Sequence, residues 1–136
     1  MIDICQAVYK YLISKTDITN IVGNRIYPTI LPQNCSYPAI VYSPIIANYD
    51  SALEGDTGFV RQTIQIVCHD ATFKKARELS RIVKNHIQDF HGNMEGLIIE
   101  AVFIKSDFEM NGNTTVRFET DEFMTCLEFE FYYNEK

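Results

Sequence analysis

The chain has 136 residues, of which 46% are apolar and 22% charged, enough apolar material for the core of one domain spanning residues 1–136. The formal net charge is −6, and this composition excludes a disordered, collagenous or low-complexity chain. Because no apolar run reaches the ~18 residues that cross a bilayer and no secretion signal is recognisable, we expect no membrane association and a protein that stays in the cytoplasm.

Two helices are predicted at the amino-terminal end. Apolar residues three and four apart predict an amphipathic helix over about residues 3–15. Thr16 or Asp17 can cap a second, very short helix, and Gly23 suits its end because glycine readily adopts a left-handed conformation.

A proline-rich stretch and a polar stretch come next. All four prolines lie between Arg25 and Pro44, where their fixed φ angle and missing N–H exclude a helix interior. We expect extended backbone there, with a short strand at Ala39–Ser43. Residues 47–58 contain turn-forming residues and three acids without a sustained period, and they predict a projecting loop.

A strand followed by a long helix is the best-defined prediction. Alternating apolar residues from Phe59 to Cys68 predict a half-buried strand, whose apolar face Gln62 interrupts once. Asp70 can cap the following helix, in which apolar residues recur three and four apart through Phe90, and Gly92 is the predicted stop.

Two further strands are predicted in the last third of the chain. Leu97–Ile104 is apolar on both faces apart from Glu100, which is typical of a strand covered on each side or central in a sheet. A polar loop over Lys105–Thr120 precedes a final strand of alternating pattern, Phe123–Tyr133. The elements predict an α+β domain, with a roughly four-stranded antiparallel or mixed sheet packed against one long and one short amphipathic helix.

Charge is unevenly distributed along the chain. Residues 1–106 carry ten acids and ten bases, so residues 107–136 supply the whole net charge of −6. The predicted long helix carries five cations: Lys74, Lys75, Arg77, Arg81 and Lys84. They form either a solvated helix face or a basic surface that meets an acidic surface of a neighbouring copy. Glu128 and Glu130 on the final strand are candidates for that acidic surface, although their alternation with the apolar face of the strand favours solvent-facing carboxylates.

Residue types that could support catalysis are present in unsuitable arrangements. Cys68, His69 and Asp70 are adjacent in a strand, so neighbouring side chains point to opposite faces and cannot converge as nucleophile, base and orienting acid. His86 and His91 are five residues apart and do not share a helix face as a zinc-binding pair would. The four cysteines contain no C-x-x-C pair and are expected as reduced thiols. We therefore predict no catalytic, cofactor or metal site, and the acidic composition disfavours direct binding of nucleic acid.

A specific pattern follows the predicted second helix. The motif V-G-x-R-I-Y-P at Val22–Pro28 is continued by a proline-spaced apolar segment. The residues that carry the pattern are Val22, Gly23, Arg25, Ile26, Tyr27, Pro28, Pro32, Gln33, Pro38, Ile40, Val41 and Tyr42. This pattern resembles the tail completion proteins of long-tailed bacteriophages, which include tail terminators and tail-to-head joining proteins. Further matches extend the resemblance over about residues 5–133, although residues 105–122 fit no pattern of the family.

The resemblance implies a non-enzymatic virion protein, encoded by a phage or a prophage, that assembles in the cytoplasm of the bacterial host. Such a protein forms a ring, usually of six copies, at the head-proximal end of the tail, where it terminates the tail tube, joins tail to head, or does both. Its implied partners are copies of itself, the tail tube protein and the head completion or connector protein, while the free protein can be monomeric. Genomic DNA would pass through the ring without specific binding.

In such a ring the acidic loop has two possible positions. Asp50, Glu54 and Asp56 either line the channel, where carboxylates repel phosphate, or belong to a loop that packs against a neighbouring copy or is mobile in the free monomer.

Two other functions stay open at this point. One is a small cytoplasmic, prophage-encoded adaptor or regulator that binds a protein partner through the acidic face. The other is a hydrolase that uses Cys68 or the acids of the carboxyl-terminal region. A closed ring or binding to tail tubes favours the virion protein, whereas a reactive thiol favours the hydrolase.

Overall fold

The computed structural model describes residues 3–53, 55–111 and 123–135. Within these ranges, three helices and six strands follow one another as α1 (Ile4–Ile13), α2 (Thr16–Val22), β1 (Ile26–Pro28), β2 (Ala39–Ala52), β3 (Gly55–Asp70), α3 (Phe73–Ile87), β4 (Gly92–Met94), β5 (Leu97–Asn111) and β6 (Phe123–Asn134). The α+β class is confirmed. The sheet has six strands rather than about four, because two three-residue strands, β1 and β4, extend its edges.

The strands form one mixed sheet in the order β1-β2-β3-β6-β5-β4. β1 runs parallel to β2, and the other neighbouring pairs are antiparallel. β4 pairs with β5 only at Leu97–Ile99, and no described strand pairs with that edge of β5 beyond Ile99. The long strands β2 and β5 are therefore separated by β3 and β6, and they lie towards opposite sides of the sheet.

The two faces of the sheet differ in what covers them. Side chains of α1, α2 and α3 pack with those of one face, which we call the helix face and which includes Ile64, Ile66, Leu127 and Phe129. The alternate residues of the same strands, including Thr63, Gln65, Glu128 and Glu130, form the opposite face, which we call the open face. The described helices pack against the helix face alone, so the hydrophobic core lies on that side of the sheet.

Helix α1 begins as the sequence predicts. Asp3 is its N-cap and accepts a hydrogen bond from the Cys5 backbone N–H at 2.9 Å, and Gln6 completes a capping box. The second helix, α2, also forms and ends at Gly23, whose φ of 62° is in the left-handed region. The prediction that Thr16 or Asp17 caps α2 is wrong, because Lys15 occupies the N-cap without a side-chain hydrogen bond and both predicted residues follow it.

Helix α3 is correctly placed, but both of its predicted ends are wrong. Its N-cap is Thr72, whose hydroxyl accepts a hydrogen bond from the Lys75 backbone N–H at 3.2 Å. Asp70 instead remains in β3 and accepts from the adjacent Ala71 N–H. The helix ends at Ile87, and Gly92 belongs to β4.

The predicted loop over residues 47–58 is wrong. β2 continues through Ala52 and pairs with β3 from Gly55 onwards, so residues 47–52 and 55–58 belong to the distal part of a long β-hairpin, and Ala39–Ser43 is only the start of its first strand. Residue 54 lies outside the described residues. Cross-strand hydrogen bonds with β3 compensate here for residues of low strand propensity. This hairpin is central to the candidate site.

Two further strand predictions also need correction. Lys105–Asn111, predicted as the start of a loop, belongs to β5, while residues 112–120 of that loop lie outside the described ranges. Leu97–Ile104 is not covered on both faces, because Ile98 is 56% exposed and Phe103 is 53% exposed on the open face. The prediction for β6 is confirmed, since Leu127, Phe129 and Phe131 are buried and alternate with the glutamates.

Candidate assembly surfaces

The cations of α3 divide between two sides of the helix. Arg77, Arg81 and Lys84 lie one helical turn apart and line a groove between α3 and β5, together with Ser80, Asn85 and Asp107. We call this the basic groove, and it encloses about 240 Å³. Lys74 is exposed outside the groove. Lys75 faces a different cavity, of about 440 Å³, whose walls include Ile21 and Pro38.

Arg77 connects α3 to the sheet through two carboxylates. Its Nη1 donates to Asp107 Oδ1 at 3.2 Å and to Glu109 Oε1 at 3.0 Å. The hydrogen bond to Glu109, followed by the charge of Asp107, raises the pKa of the guanidinium above its usual value. Thr125 Oγ1 donates to the same Glu109 oxygen at 2.9 Å, which holds that carboxylate in place. Arg77 thus binds two acids of the carboxyl-terminal region, and its single positive charge balances one of them.

The remaining cations of the basic groove are not paired in this way. No ion pair joins Arg81 or Lys84 to another residue in the part of the chain that the structure describes. Among the described side chains, the groove and its immediate surroundings carry three positive charges and two negative charges, and Arg81 and Lys84 are the cations that hold no carboxylate.

The open face holds Glu128 and Glu130 in a hydrogen-bond network. Glu128 accepts from Ser106 Oγ at 2.9 Å and from Gln65 Nε2 at 3.4 Å. Glu130 accepts from Tyr132 Oη at 2.8 Å and lies 3.8 Å from Lys105 Nζ.

The charge on this face is nearly balanced. The hydrogen bond to Glu130 raises the pKa of Tyr132, and Arg61 acts in the opposite direction, so a second cation lies beside the network. Two carboxylates with two nearby cations make a polar surface of little net charge, in contrast to the acidic face that the sequence suggested.

The strongest acidic feature is the distal part of the β2–β3 hairpin. β6 ends at Asn134, opposite Phe59, and the next N–H, of Glu135, donates to the Gly58 carbonyl at 2.8 Å. Residues 50–53 and 55–58 form a two-stranded ribbon, which we call the arm; Gly58 lies at its base and the rest projects beyond the sheet. Asp50 on β2 is exposed, and Asp56 on β3 pairs with Ser51 of β2. Glu54 lies outside the described residues. The chain carries no lysine or arginine between Arg25 and Arg61, so the arm has no cation of its own.

Exposed apolar side chains accompany these acids. Tyr49 at the base of the arm is 62% exposed, Phe59 is 43% exposed, and Leu53 at the turn is fully exposed. Tyr49 pairs with Val60, so Tyr49 and Phe59 lie on opposite faces of the hairpin, and both faces carry exposed apolar surface that a partner could cover.

The possible catalytic residues do not converge. Cys68 is fully buried on the helix face, where desolvation raises the pKa of its thiol. His69 points to the opposite face of the sheet, where its ring stacks on that of Tyr37. His86 Nε2 contacts both carboxylate oxygens of Asp17 at 2.8 Å, which makes it a bridge between α2 and α3. Among the described residues, no group of three His, Cys, Asp or Glu side chains could hold a metal ion.

No described helix is long and apolar enough to cross a membrane.

The sequence identified the residues of these surfaces but not their grouping. The spacing of Arg77, Arg81 and Lys84 by four and three residues was a detectable signal for one helix side. Nothing in the local pattern indicated that Asp107 would line the groove, or that most of the predicted acidic loop would be paired strands.

Comparison with known proteins gives a family and a fold. The profile of the family described as "Tail completion protein gp17" matches residues 6–121. A chain of the solved structure titled "Virion of native gene transfer agent (GTA) particle" superposes with a TM-score of 0.76, at 15% sequence identity, over 96% of this chain and 94% of the other. No curated protein matches the sequence.

Proposed function

Because this chain belongs to the tail completion protein gp17 family, we propose that it is a structural protein of the tail of a long-tailed phage or prophage. In the proposed role it forms a ring, of six copies, at the head-proximal end of the tail. There it terminates the tail tube, joins the tail to the head, or does both. The observation that carries the proposal is the family match over residues 6–121.

The surfaces of the molecule support assembly through two different contacts. The arm extends from β2 and β3, whereas the basic groove lies beside β5 on the other side of β6. A closed ring of identical subunits needs such unlike, complementary surfaces on each copy. The fold likeness to a chain of a virion particle is consistent with this role and by itself concerns the fold alone.

The chemistry required of such a protein is binding alone. Its proposed partners are further copies, the tail tube protein and the head completion or connector protein. DNA would pass through the channel without specific contacts, which is consistent with a net charge of −6.

Electron microscopy of particles made without the protein tests the role directly. We expect tails of uncontrolled length if the protein terminates the tube, and separate tails and filled heads if it joins them. Supplying the wild-type gene in trans should restore normal particles. Normal infectious particles in its absence would contradict the proposal.

Mass photometry of the purified protein, alone and with tail tubes, tests the ring. We expect a species of six copies, either free at high concentration or only on tube ends. A protein that stays monomeric and does not bind tail tubes would instead favour the adaptor or regulator hypothesis.

A further inference from the structure

We propose that the arm of one copy docks in the basic groove of the next copy, where its carboxylates bind Arg81 and Lys84. This inference rests on the proposed self-assembly and names the contact that closes the ring. It replaces Glu128 and Glu130 as the acidic partner of α3.

The charges of the groove call for an acidic partner. Arg81 and Lys84 have no ion pair among the described residues, while Arg77 is already bound to Asp107 and Glu109. Unpaired cations that line one concave surface attract carboxylates and reject other cations. The open face does not offer such a partner, because Lys105 and Arg61 already lie beside its glutamates.

The size of the groove favours side chains over a small ligand. Its volume of about 240 Å³ is smaller than the roughly 300–1,000 Å³ of typical ligand pockets. It can accept one or two carboxylate side chains that enter from a surface outside the molecule.

The arm matches the groove in charge and shape. Asp50 and Asp56 lie on its two strands, and no cation occurs between Arg25 and Arg61. A two-stranded ribbon extending about four residues, or roughly 13 Å, beyond the sheet can reach into a neighbour's groove. Exposed Tyr49 and Leu53 would lose their solvent contact on docking.

The arm cannot reach the groove of its own chain. In the register of the sheet, Asp107 of β5 lies opposite Leu127 of β6, and Leu127 lies opposite Ile66 of β3. The arm begins next to Phe59, seven residues away along β3, which corresponds to about 23 Å. The groove lies two strands across from β3, so the contact requires a second copy. A contact between two unlike surfaces repeats from copy to copy and can close a ring.

A charge exchange within one chain tests this contact. One double variant reverses the groove (Arg81→Glu, Lys84→Glu) and another reverses the arm (Asp50→Lys, Asp56→Lys). Each should raise the protein concentration at which half of the chains are assembled by at least about tenfold. The variant with all four substitutions should assemble again, because each interface then pairs reversed charges. Mass photometry, with and without tail tubes, measures assembly, and recovery in the fourfold variant also demonstrates that the chain folds.

Two matched controls separate this contact from general charge effects. Lys10→Glu with Lys75→Glu makes the same change in net charge at exposed sites outside the groove and should leave assembly intact. Glu119→Lys with Glu122→Lys, added to the groove reversal, should not restore assembly. Restoration by that second control would assign the groove to the chain's own acidic segment and overturn the proposal.

The remaining outcomes are equally decisive. If the wild-type protein assembles and the groove and arm reversals have no effect, the docking contact is wrong while the proposed function stands. If the groove reversal leaves the ring intact but abolishes binding of duplex DNA, the groove is a phosphate site. If the arm reversal leaves the ring intact but slows DNA ejection, the arm lines the channel. A wild-type protein that assembles neither alone nor on tubes overturns both proposals.

Discussion

Arg77 is the residue at which the long helix and the sheet are joined by charge. It lies between Asp107 and Glu109, at 3.2 and 3.0 Å, and all three side chains are about one-third exposed. Solvent screens pairs of this exposure, so their geometry contributes more to orientation than to total stability. Because Asp107 and Glu109 are both hydrogen-bonded to Arg77, they form no ion pair with Arg81 or Lys84 among the described residues, and these two cations can bind a carboxylate from outside.

Replacing Arg77 by alanine should therefore lower the free energy of unfolding by about 1 kcal/mol. Urea denaturation measures this loss, which should shrink in 1 M salt because exposed charges are screened there. Arg81→Ala is the control and should change stability by less than about 0.5 kcal/mol. Equal losses for the two variants would contradict the assigned role of Arg77.

The four thiols should react in a definite order, because burial and protonation differ among them. Cys35 is partly exposed, whereas burial raises the pKa of Cys5 and of Cys126 to about 11 and raises that of Cys68 further. The thiolate is the reacting form, so maleimide should label Cys35 first and Cys68 only on unfolding. Mass spectrometry of peptides from the timed reaction measures the order. Labelling of Cys68 in the folded protein as fast as Cys35 would revive the hydrolase hypothesis.

At the scale of elements, helices were predicted more accurately than strands. The periodicity of α1 and α3 is local, so their positions followed from residues three and four apart. The N-cap of α3 was missed because Asp70 and Thr72 are both good capping residues and only the length of β3 decides between them. The start of β2 was predicted, whereas its continuation beyond Ser43 and the second half of β5 were missed, because pairing with another strand decides them and not the local pattern.

The contact between α2 and α3 should make stability depend on pH. The hydrogen bond from His86 holds the pKa of Asp17 below its usual value, so the stabilisation is present above about pH 4 and is lost as the pH falls through the folded-state pKa. Asp17→Asn should be less stable than the wild type at pH 6, and the two should converge at about pH 2. Urea unfolding at both pH values measures the difference.

Asp89→Asn is the matched control for this experiment. Asp89 is exposed in a turn with a φ of 63°, a conformation that asparagine tolerates. The free energy of unfolding of this control should equal that of the wild type at both pH values. A loss at pH 6 as large as that of Asp17→Asn would contradict the assignment of the pH dependence to the contact between Asp17 and His86.

For the whole molecule, the important feature is the separation of the arm from the basic groove. The four long strands of the sheet place them on different sides and about seven residues apart along β3. The core lies between the helices and the helix face, so the arm contributes nothing to it. Stability and assembly therefore depend on different parts of the chain.

Removing the arm should separate these two properties. Replacement of residues 51–56 by Asn-Gly, a sequence suited to a tight hairpin turn, should change the free energy of unfolding by less than about 1 kcal/mol. The same variant should assemble much more weakly, because Asp56 and the exposed Leu53 are lost and Asp50 alone remains at the base of the arm. Thermal unfolding followed by circular dichroism, together with mass photometry, measures both effects. Loss of cooperative unfolding would contradict the view that the arm is outside the core.

The sequence by itself determined the α+β class, the amphipathic helices, the final strand and the tail completion family, because these depend on local periodicity and on a continuous motif. It also identified the cations of α3, the acids of the arm and the two glutamates of β6, but not their partners Asp107, Glu109, Lys105 and Arg61. Only the tertiary structure decided that residues 47–52 and 55–58 form strands, that Arg77 is held by Asp107 and Glu109, and that the glutamates of β6 lie beside cations. Each of these features joins residues that are distant in the chain, and hydrogen-bond pairing across strands outweighs the local preferences that a sequence pattern records.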